Sequence, residues 1–432
     1  MIGHKEHLAS QFFRAVLPAM LAFTLSGIYG ITDGFFVGNA LGDSALAAIN
    51  VAYPLTALLQ SMGTGIGMGG AVEYSLGLGS QNPQRSREFY SLSLFLLCSL
   101  GLVFTGILLV AGAPLLRLFG ASGEIYTLGC EYIFFIALGS VFQILGTGLV
   151  PFIRNMDGPI IAMYAMIAGF GTNIVLDYLL VWKFPLGMTG AALATDIGQG
   201  ITFLVCLGFF IKKKEKPLFR FQESVKLLLQ RLIKVGMSPF GLTFAPNIAL
   251  ILINKSAVLY GGNLAVTCYA PVSYINWVGL MLLQGVSDGS QPLFSLSWGA
   301  GKKERAWKFC KMAFGFSLFT AAVSMALIFC QRHNLGSLFG TSPQVNSQIS
   351  HILPVFLAGY LFAAVSRVST AYFYATGKNF KAYLLIYGEP VFLAILLAVL
   401  PSVWGIQGTW AAVPLSQMLA AGLSVVLMAS KP

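Results

Sequence analysis

The chain has 432 residues, of which 56% are hydrophobic and only 9% charged, and its mean hydropathy is +0.78. A water-soluble domain carries about 25% charged residues, so this sequence has too few charges to cover a soluble surface. Its net charge of +11 would suit a nucleic-acid partner in a soluble protein, but in a membrane chain basic residues serve topology and contacts with lipid headgroups.

Apolar runs of roughly 20 residues or more, each able to cross a hydrocarbon core as a helix, recur twelve times. The expected spans begin with 10–40, which carries Tyr29 and, in "GITDGFFVG", the carboxylate of Asp33. The span 44–78 holds Gln60, Met62 and "GTGIGMGG" at 63–70; inside a transmembrane run those glycines predict close helix packing rather than a phosphate loop. Next come 89–114, 124–150, 159–182 with Asn173 and Asp177, and 188–211 with Thr195 and Asp196. The longest polar stretch, "KKKEKPLFRFQESVK" at 212–226, falls at the midpoint. Beyond it lie 227–258, 263–298 with Met281, Gln284 and Asp288, 308–331, 348–376 with Arg367, 380–401 with Glu389, and 405–429. The runs lack the alternation of barrel strands. The first does not read as a signal peptide, because its apolar stretch is too long. The fold class is therefore an all-α polytopic membrane protein of twelve transmembrane helices.

With the amino terminus inside, eighteen Lys and Arg fall on cytoplasmic loops and the central linker, against Arg117, Lys183, Lys255 and Arg332 on the opposite side. The positive-inside rule then places both termini in the cytoplasm. The six cysteines all fall in apolar runs without a CxxC and read as small core residues. No zinc-protease helix, phosphate loop or nucleophile elbow is present, so an enzyme is not expected.

The two halves resemble each other. "GTGIGMGGAVEYSLGLG" at 63–79 aligns with "GVSDGSQPLFSLSWGAG" at 285–301, and "GMTGAALATDIGQ" at 187–199 with "GIQGTWAAVPLSQ" at 405–417. The expected domains are an amino-terminal lobe at 1–211, a cytoplasmic linker at 212–226 and a carboxyl-terminal lobe at 227–432. Two parallel repeats of six spans about an axis along the membrane normal form a transporter architecture.

Depth joins several polar residues. Asp33 lies about nine residues before the turn near 40–43, or ~13 Å at 1.5 Å per residue. Asp177 and Thr195 flank the turn near 184–187 at a similar distance. Asn173 and Tyr29 lie one turn from Asp177 and Asp33, on the same faces. Such a layer suits a proton held between carboxylates, or oxygens offered to Na⁺. An intramembrane carboxylate costs at least ~2.5 kcal/mol on insertion scales and so points to function. Asn173, Thr195 and Tyr29 also suit helix-packing hydrogen bonds. Gln60, Met62, Met281 and Gln284 are candidates for adaptable contacts with flat hydrophobic cations. Arg367 and Glu389 lie at matched distances from the turn at Gly377 and Lys378, which predicts an ion pair, either structural or opened by a cationic substrate. Glu73 and Asp288 fall near cytoplasmic span ends, where solvated or mouth-lining roles are expected. Glu88 and Glu223 read as loop or interface residues.

The segments "ITDGFFVGNALGDSALAAINVAYPL", "NIVLDYLLVW" and "GMTGAALATDIGQ" resemble the multidrug and toxic compound extrusion (MATE) transporters, in the MepA/DinF-like bacterial branch. The resemblance covers nearly the whole chain, and the order and spacing of the segments carry it. It implies two six-helix lobes and antiport of organic, mostly cationic, compounds against H⁺ or Na⁺. It implies an amino-lobe cation site at Asp33, Asp177, Asn173 and Thr195, and a helix bend at Pro18. Acidic ligands used by some members on spans seven and ten are missing, which favours H⁺ and keeps Na⁺ open. No cofactor is expected. The expected partners are small organic cations or drugs and membrane lipids, with no nucleic acid, and the chain is expected to act as a monomer in the cell membrane. The alternative function is a lipid or lipid-linked saccharide flippase of the same superfamily.

Overall fold

A computed structural model describes residues 7–218, 220–339 and 341–430. The two chain ends, expected in the cytoplasm, lie outside the described residues. The described chain is helical, without strands. The helices are α1 (Leu8–Leu41), α2 (Asp43–Gly79), α3 (Pro83–Leu118), α4 (Gly123–Asn155), α5 (Pro159–Leu176), α6 (Gly187–Lys213), α7 (Val225–Gly262), α8 (Leu264–Gly299), α9 (Lys303–Leu335), α10 (Pro343–Leu357), α11 (Tyr360–Ala375), α12 (Asn379–Trp404) and α13 (Ile406–Ala429). Among the described residues eleven helices are long and apolar enough to span a membrane, and α10 and α11, bent by 42° at their junction, pass the same test as a pair. This is a multi-pass membrane protein.

Helix ends follow local chemistry. Asn82 caps α3 by accepting from the Arg85 amide at 3.0 Å, with Pro83 at the first helical position. Ser342 and Pro343 start α10 in the same way. Gly262, with φ of +63°, separates α7 from α8; a side chain there would be strained.

The chain forms two compact units, and neither is a simple half. One contains 28–243 and 295–301. Its core runs through α2, α3, α4 and α6, with Leu59, Phe89, Leu97, Ile136, Ile144 and Phe152 fully buried. Glycines set its helix spacing, as the 63–70 segment predicts. A methyl carbon built on Gly67 would lie 2.0 Å from the Gly148 carbonyl oxygen of α4. Gly65 and Gly69 take the first part of α7 against Gly236 and Leu232, which explains why residues 225–243 cluster with the first half of the chain.

The other unit contains 1–27, 244–294 and 302–432. Its core gathers Tyr269, Leu353, Phe356 and Trp410, with Leu283, Ala321 and Tyr360 packed higher on α8, α9 and α11. The start of α1 belongs here because Gly285 and Gly289 of α8 let the backbone of Met20 and Val16 approach closely. Phe12 and Phe13 meet Phe316 edge to face at 5.9 and 5.2 Å, and Arg305 donates to Gln11 at 2.6 Å. Cys206, Cys268 and Cys310 are buried, whereas Cys330, expected in the core, is exposed.

Glu73 and Asp288, expected to be solvated or to line a mouth, are buried. Glu73 pairs with Arg85 across the α2–α3 turn. Asp288 accepts from Gln284 at 2.8 Å and from Tyr374 at 3.4 Å. Partners on neighbouring turns remove the need for water. Glu88 is also buried and accepts the Gln222 amide at 2.6 Å, while Ser91 accepts the Leu218 amide at 2.7 Å. These contacts tie the central linker to α3.

Candidate functional site

Asp33 projects from the last third of α1, and Asn173 from α5. After Leu176 the backbone changes from α to π-helix over Asp177–Lys183, and Phe184 closes it by donating to Leu179 at 2.7 Å. Such wide turns recur at functional sites. This one begins at Asp177, which the sequence pattern places in a regular helix. The following helix, α6, carries Thr195. Its first turn is held from outside, since Glu131 of α4 accepts from the Thr189 amide at 3.0 Å and from the Thr189 hydroxyl at 2.6 Å. A carboxylate at a helix start satisfies orphan amides and opposes the helix dipole. Gly190 admits the Leu180 carbonyl oxygen of the π segment to 2.6 Å from where a side chain would begin, locking α6 against it.

These supports bring the layer together within the 28–243 unit. Asp33 and Asp177 are side-chain neighbours, each carboxyl within interaction range of the other. Asp177 and Asn173 are buried; Asp33, Tyr29 and Thr195 are half-buried. Asn173 donates to the Thr195 hydroxyl at 3.4 Å. Tyr29 stacks on Phe170 with ring centres 5.0 Å apart, and its hydroxyl reaches Thr195. Both Asp177 oxygens, one oxygen of Asp33 and the Asn173 carbonyl oxygen have no donor among the described residues. Two neighbouring carboxyl groups, with buried oxygens turned inward, can share one proton or accept a small hard cation.

One member of the layer was not legible from spacing. Tyr132 of α4 is buried, and its hydroxyl also reaches Thr195. It lies in the first third of α4 with no matching residue count to single it out, so only packing brings it in. Asp196 does not join the Asp33–Asp177 pair. Its carboxyl lies on Gly139 of α4, 2.0 Å from where a methyl carbon would stand, within electrostatic reach of Tyr132.

The other candidates are dispersed. Gln60 is exposed and Met62 half-buried on α2. In the second unit Met281 is half-buried, while Gln284 is buried and accepts a hydrogen bond from Arg367. Arg367 is within electrostatic reach of Glu389 and Asp288. The arginine's hydrogen bond goes to Gln284 rather than to Glu389, so the side chains do not form the expected two-membered ion pair. Pro18 sits inside α1, half-buried. Among the described residues no three His, Cys, Asp or Glu side chains gather into a metal-binding group.

The model of the MatE family matches residues 18–179 and again 239–400. The Multidrug export protein MepA of Staphylococcus haemolyticus is 27% identical over 427 residues, covering 98% of this chain and 94% of its own length. The protein of the same name from Staphylococcus aureus is 26% identical over 396 residues, covering 91% and 87%. Among solved structures, an outward-facing multidrug resistance MATE family transporter superposes with a TM-score of 0.91 at 21% identity, covering 98% of this chain and 95% of the other. A MOP superfamily transporter from Pyrococcus furiosus gives 0.90 at 21% identity, with the same coverage.

Proposed function

Because the chain belongs to the MatE family, we propose that it is a secondary active exporter of organic, mostly cationic compounds that exchanges them for protons at Asp33 and Asp177. The observation that carries this reading is the proximity of the two carboxyl groups, with both Asp177 oxygens and one Asp33 oxygen buried and without a donor among the described residues. Two adjacent carboxylates in a membrane are costly unless a positive charge lies between them. A site with that requirement binds a coupling cation in one state and must be discharged for the cycle to continue. Thr195, Asn173, Tyr29 and Tyr132 orient the acids and bridge four helices, so binding and release bias the packing of α1 against α4, α5 and α6. The pair titrates as a unit.

The repeat architecture supports the division into lobes at 1–211 and 227–432, joined by the linker at 212–226, with alternating access to a cavity. The charge distribution supports a cytoplasmic linker and cytoplasmic termini in a cell membrane. The staphylococcal relatives, named for multidrug export, support drugs as substrates. Proton is favoured over Na⁺ because spans seven and ten lack the acidic ligands that some family members carry there.

Efflux of a fluorescent organic cation from vesicles, with pH and Na⁺ gradients imposed separately, tests this. Uphill efflux driven by the pH gradient alone is expected. Efflux driven only by Na⁺ would replace the proton, and efflux driven by neither would end the antiport reading.

A further inference from the structure

The linker between the halves carries charge that the proton site does not use. Its backbone is fastened to the 28–243 unit. The Leu218 amide donates to Ser91 of α3 at 2.7 Å, and the Gln222 amide to the buried Glu88 at 2.6 Å. Phe221 is half-buried and packs against the core of the same unit. Lys213 turns back to donate to the Met156 carbonyl at 2.6 Å, with Glu215 and Asp157 within electrostatic reach. The side chains of Lys212, Lys214, Lys216 and Arg220 are different. They are exposed, and none forms an ion pair or hydrogen bond among the described residues. Arg231, beyond the linker, is paired with Glu223 at 3.1 Å.

We propose that Lys212, Lys214, Lys216 and Arg220 form a binding site for the headgroup of an anionic phospholipid, whose acyl chains lie along the neighbouring face of α6. This rests on the reading of the chain as a membrane exporter with a cytoplasmic linker.

Three observations carry it. The first is charge. Between Lys212 and Arg220 the only acid is Glu215, which is half-buried and within reach of Lys213. Four cations are left without an internal partner, and each basic residue near an anionic bilayer surface strengthens attachment about fivefold. The second is position. Ile197, Leu204, Leu207 and Ile211 are exposed on α6 at spacings that share one face. The helix ends at Lys213, so this apolar stripe runs directly up to the basic group. One amphiphile with a negative head satisfies both surfaces. The third is preorganisation. Lys214 closes α6 with φ of +56°, its amide donating to Ile211 at 3.1 Å. The two amide bonds to α3 hold the following stretch, so Lys216 and Arg220 stand on a fastened backbone. Binding then costs less ordering entropy than it would on a free tail.

Equilibrium binding of dioleoylphosphatidylglycerol to the purified full chain in uncharged detergent provides the test, read by mass spectrometry as lipid retained per protein. Dioleoylphosphatidylcholine is the zwitterionic control. Phosphatidylglycerol should bind at least about tenfold tighter. Lys212→Gln combined with Lys214→Gln and Lys216→Gln should remove that preference. Lys302→Gln combined with Lys308→Gln and Lys311→Gln deletes as much charge at three exposed positions by the start of α9, and should leave the preference intact. Equal binding of the two lipids, or an equal loss in both triple variants, overturns the proposal. Should the linker triple fail to fold, Lys216→Gln alone should weaken phosphatidylglycerol about fivefold; unchanged binding there would also overturn it. Glycerol 3-phosphate in solution separates the headgroup from a free phosphate. It should not displace the lipid, and complete displacement would assign these cations to a soluble phosphate and overturn the lipid site. Binding needs neither a gradient nor a sidedness. A protein that prefers phosphatidylglycerol as stated yet shows no proton-driven efflux fails the exchange reading only, and the converse result fails this proposal only.

Discussion

Gly67 of α2 and Gly148 of α4 touch backbone to backbone, with only 2.0 Å between the position of a Gly67 methyl carbon and the Gly148 carbonyl oxygen. A main-chain oxygen cannot rotate away as a side chain does. Gly67→Ala should therefore force α2 from α4 and cost about 2–3 kcal/mol, read as a drop in the melting temperature of the purified protein. Gly171 of α5 is exposed and has nothing within 4 Å of the same position. Gly171→Ala should leave stability unchanged or raise it by about 0.5–1 kcal/mol through helix propensity. Equal losses in both would mean that the glycines act through flexibility rather than contact.

The Tyr132 hydroxyl lies within interaction range of Thr195, and a hydrogen bond formed there would contribute roughly 1 kcal/mol net. Tyr132→Phe keeps the ring packed and removes only that bond. At a fixed pH gradient, efflux of a fluorescent cation should fall about fivefold, with unchanged expression. Full activity would exclude Tyr132 from the polar layer's work.

The membrane spans were readable because an uninterrupted apolar run of that length matches the thickness of a bilayer and exceeds what a soluble core helix needs. Their boundaries correspond closely to the helices, and the tenth span differs by its bend between α10 and α11. Residue counts place Asp33 and Asp177 at a shared depth, since helical rise converts sequence into depth; that the two side chains are neighbours depends on how the helices pack. The site's missing members depend on what counting leaves out. Tyr132 enters through α4 packing, and the π segment at Asp177–Lys183 shifts register within a helix that looks regular in sequence. Glu73 and Asp288 were misplaced for a related reason: depth near a span end suggests water, whereas Arg85 and the Gln284–Tyr374 pair provide internal partners. The compact units also exchange their edges, with residues 1–27 joining the second half and 225–243 the first. Glycine contacts on α8 and α2 decide that exchange, and no composition shift marks it.

The ion pair of Glu73 and Arg85 is buried on its acidic side and partly exposed on its basic side. Its contribution lies between that of a surface pair and a fully buried one. Glu73→Gln should destabilise by about 1–2 kcal/mol, checked by thermal unfolding in detergent at low and high salt. A loss that disappears completely in high salt would show a surface pair only.

Pro217 is exposed in the linker, next to Leu218, which is tied to Ser91. In a background without the six native cysteines, Pro217→Cys should react with a membrane-impermeant maleimide only after cells are opened. Labelling in intact cells would reverse the orientation of every loop.

Proton release on substrate binding tests the exchange at Asp33 and Asp177 most directly. Purified protein in lightly buffered detergent is mixed with tetraphenylphosphonium while pH is recorded. The wild-type chain should release up to about one proton per molecule, because the two acids share one. Asp33→Asn and Asp177→Asn should each abolish that release while the protein remains folded. Undiminished release from Asp33→Asn would contradict the exchange of proton for drug at this pair.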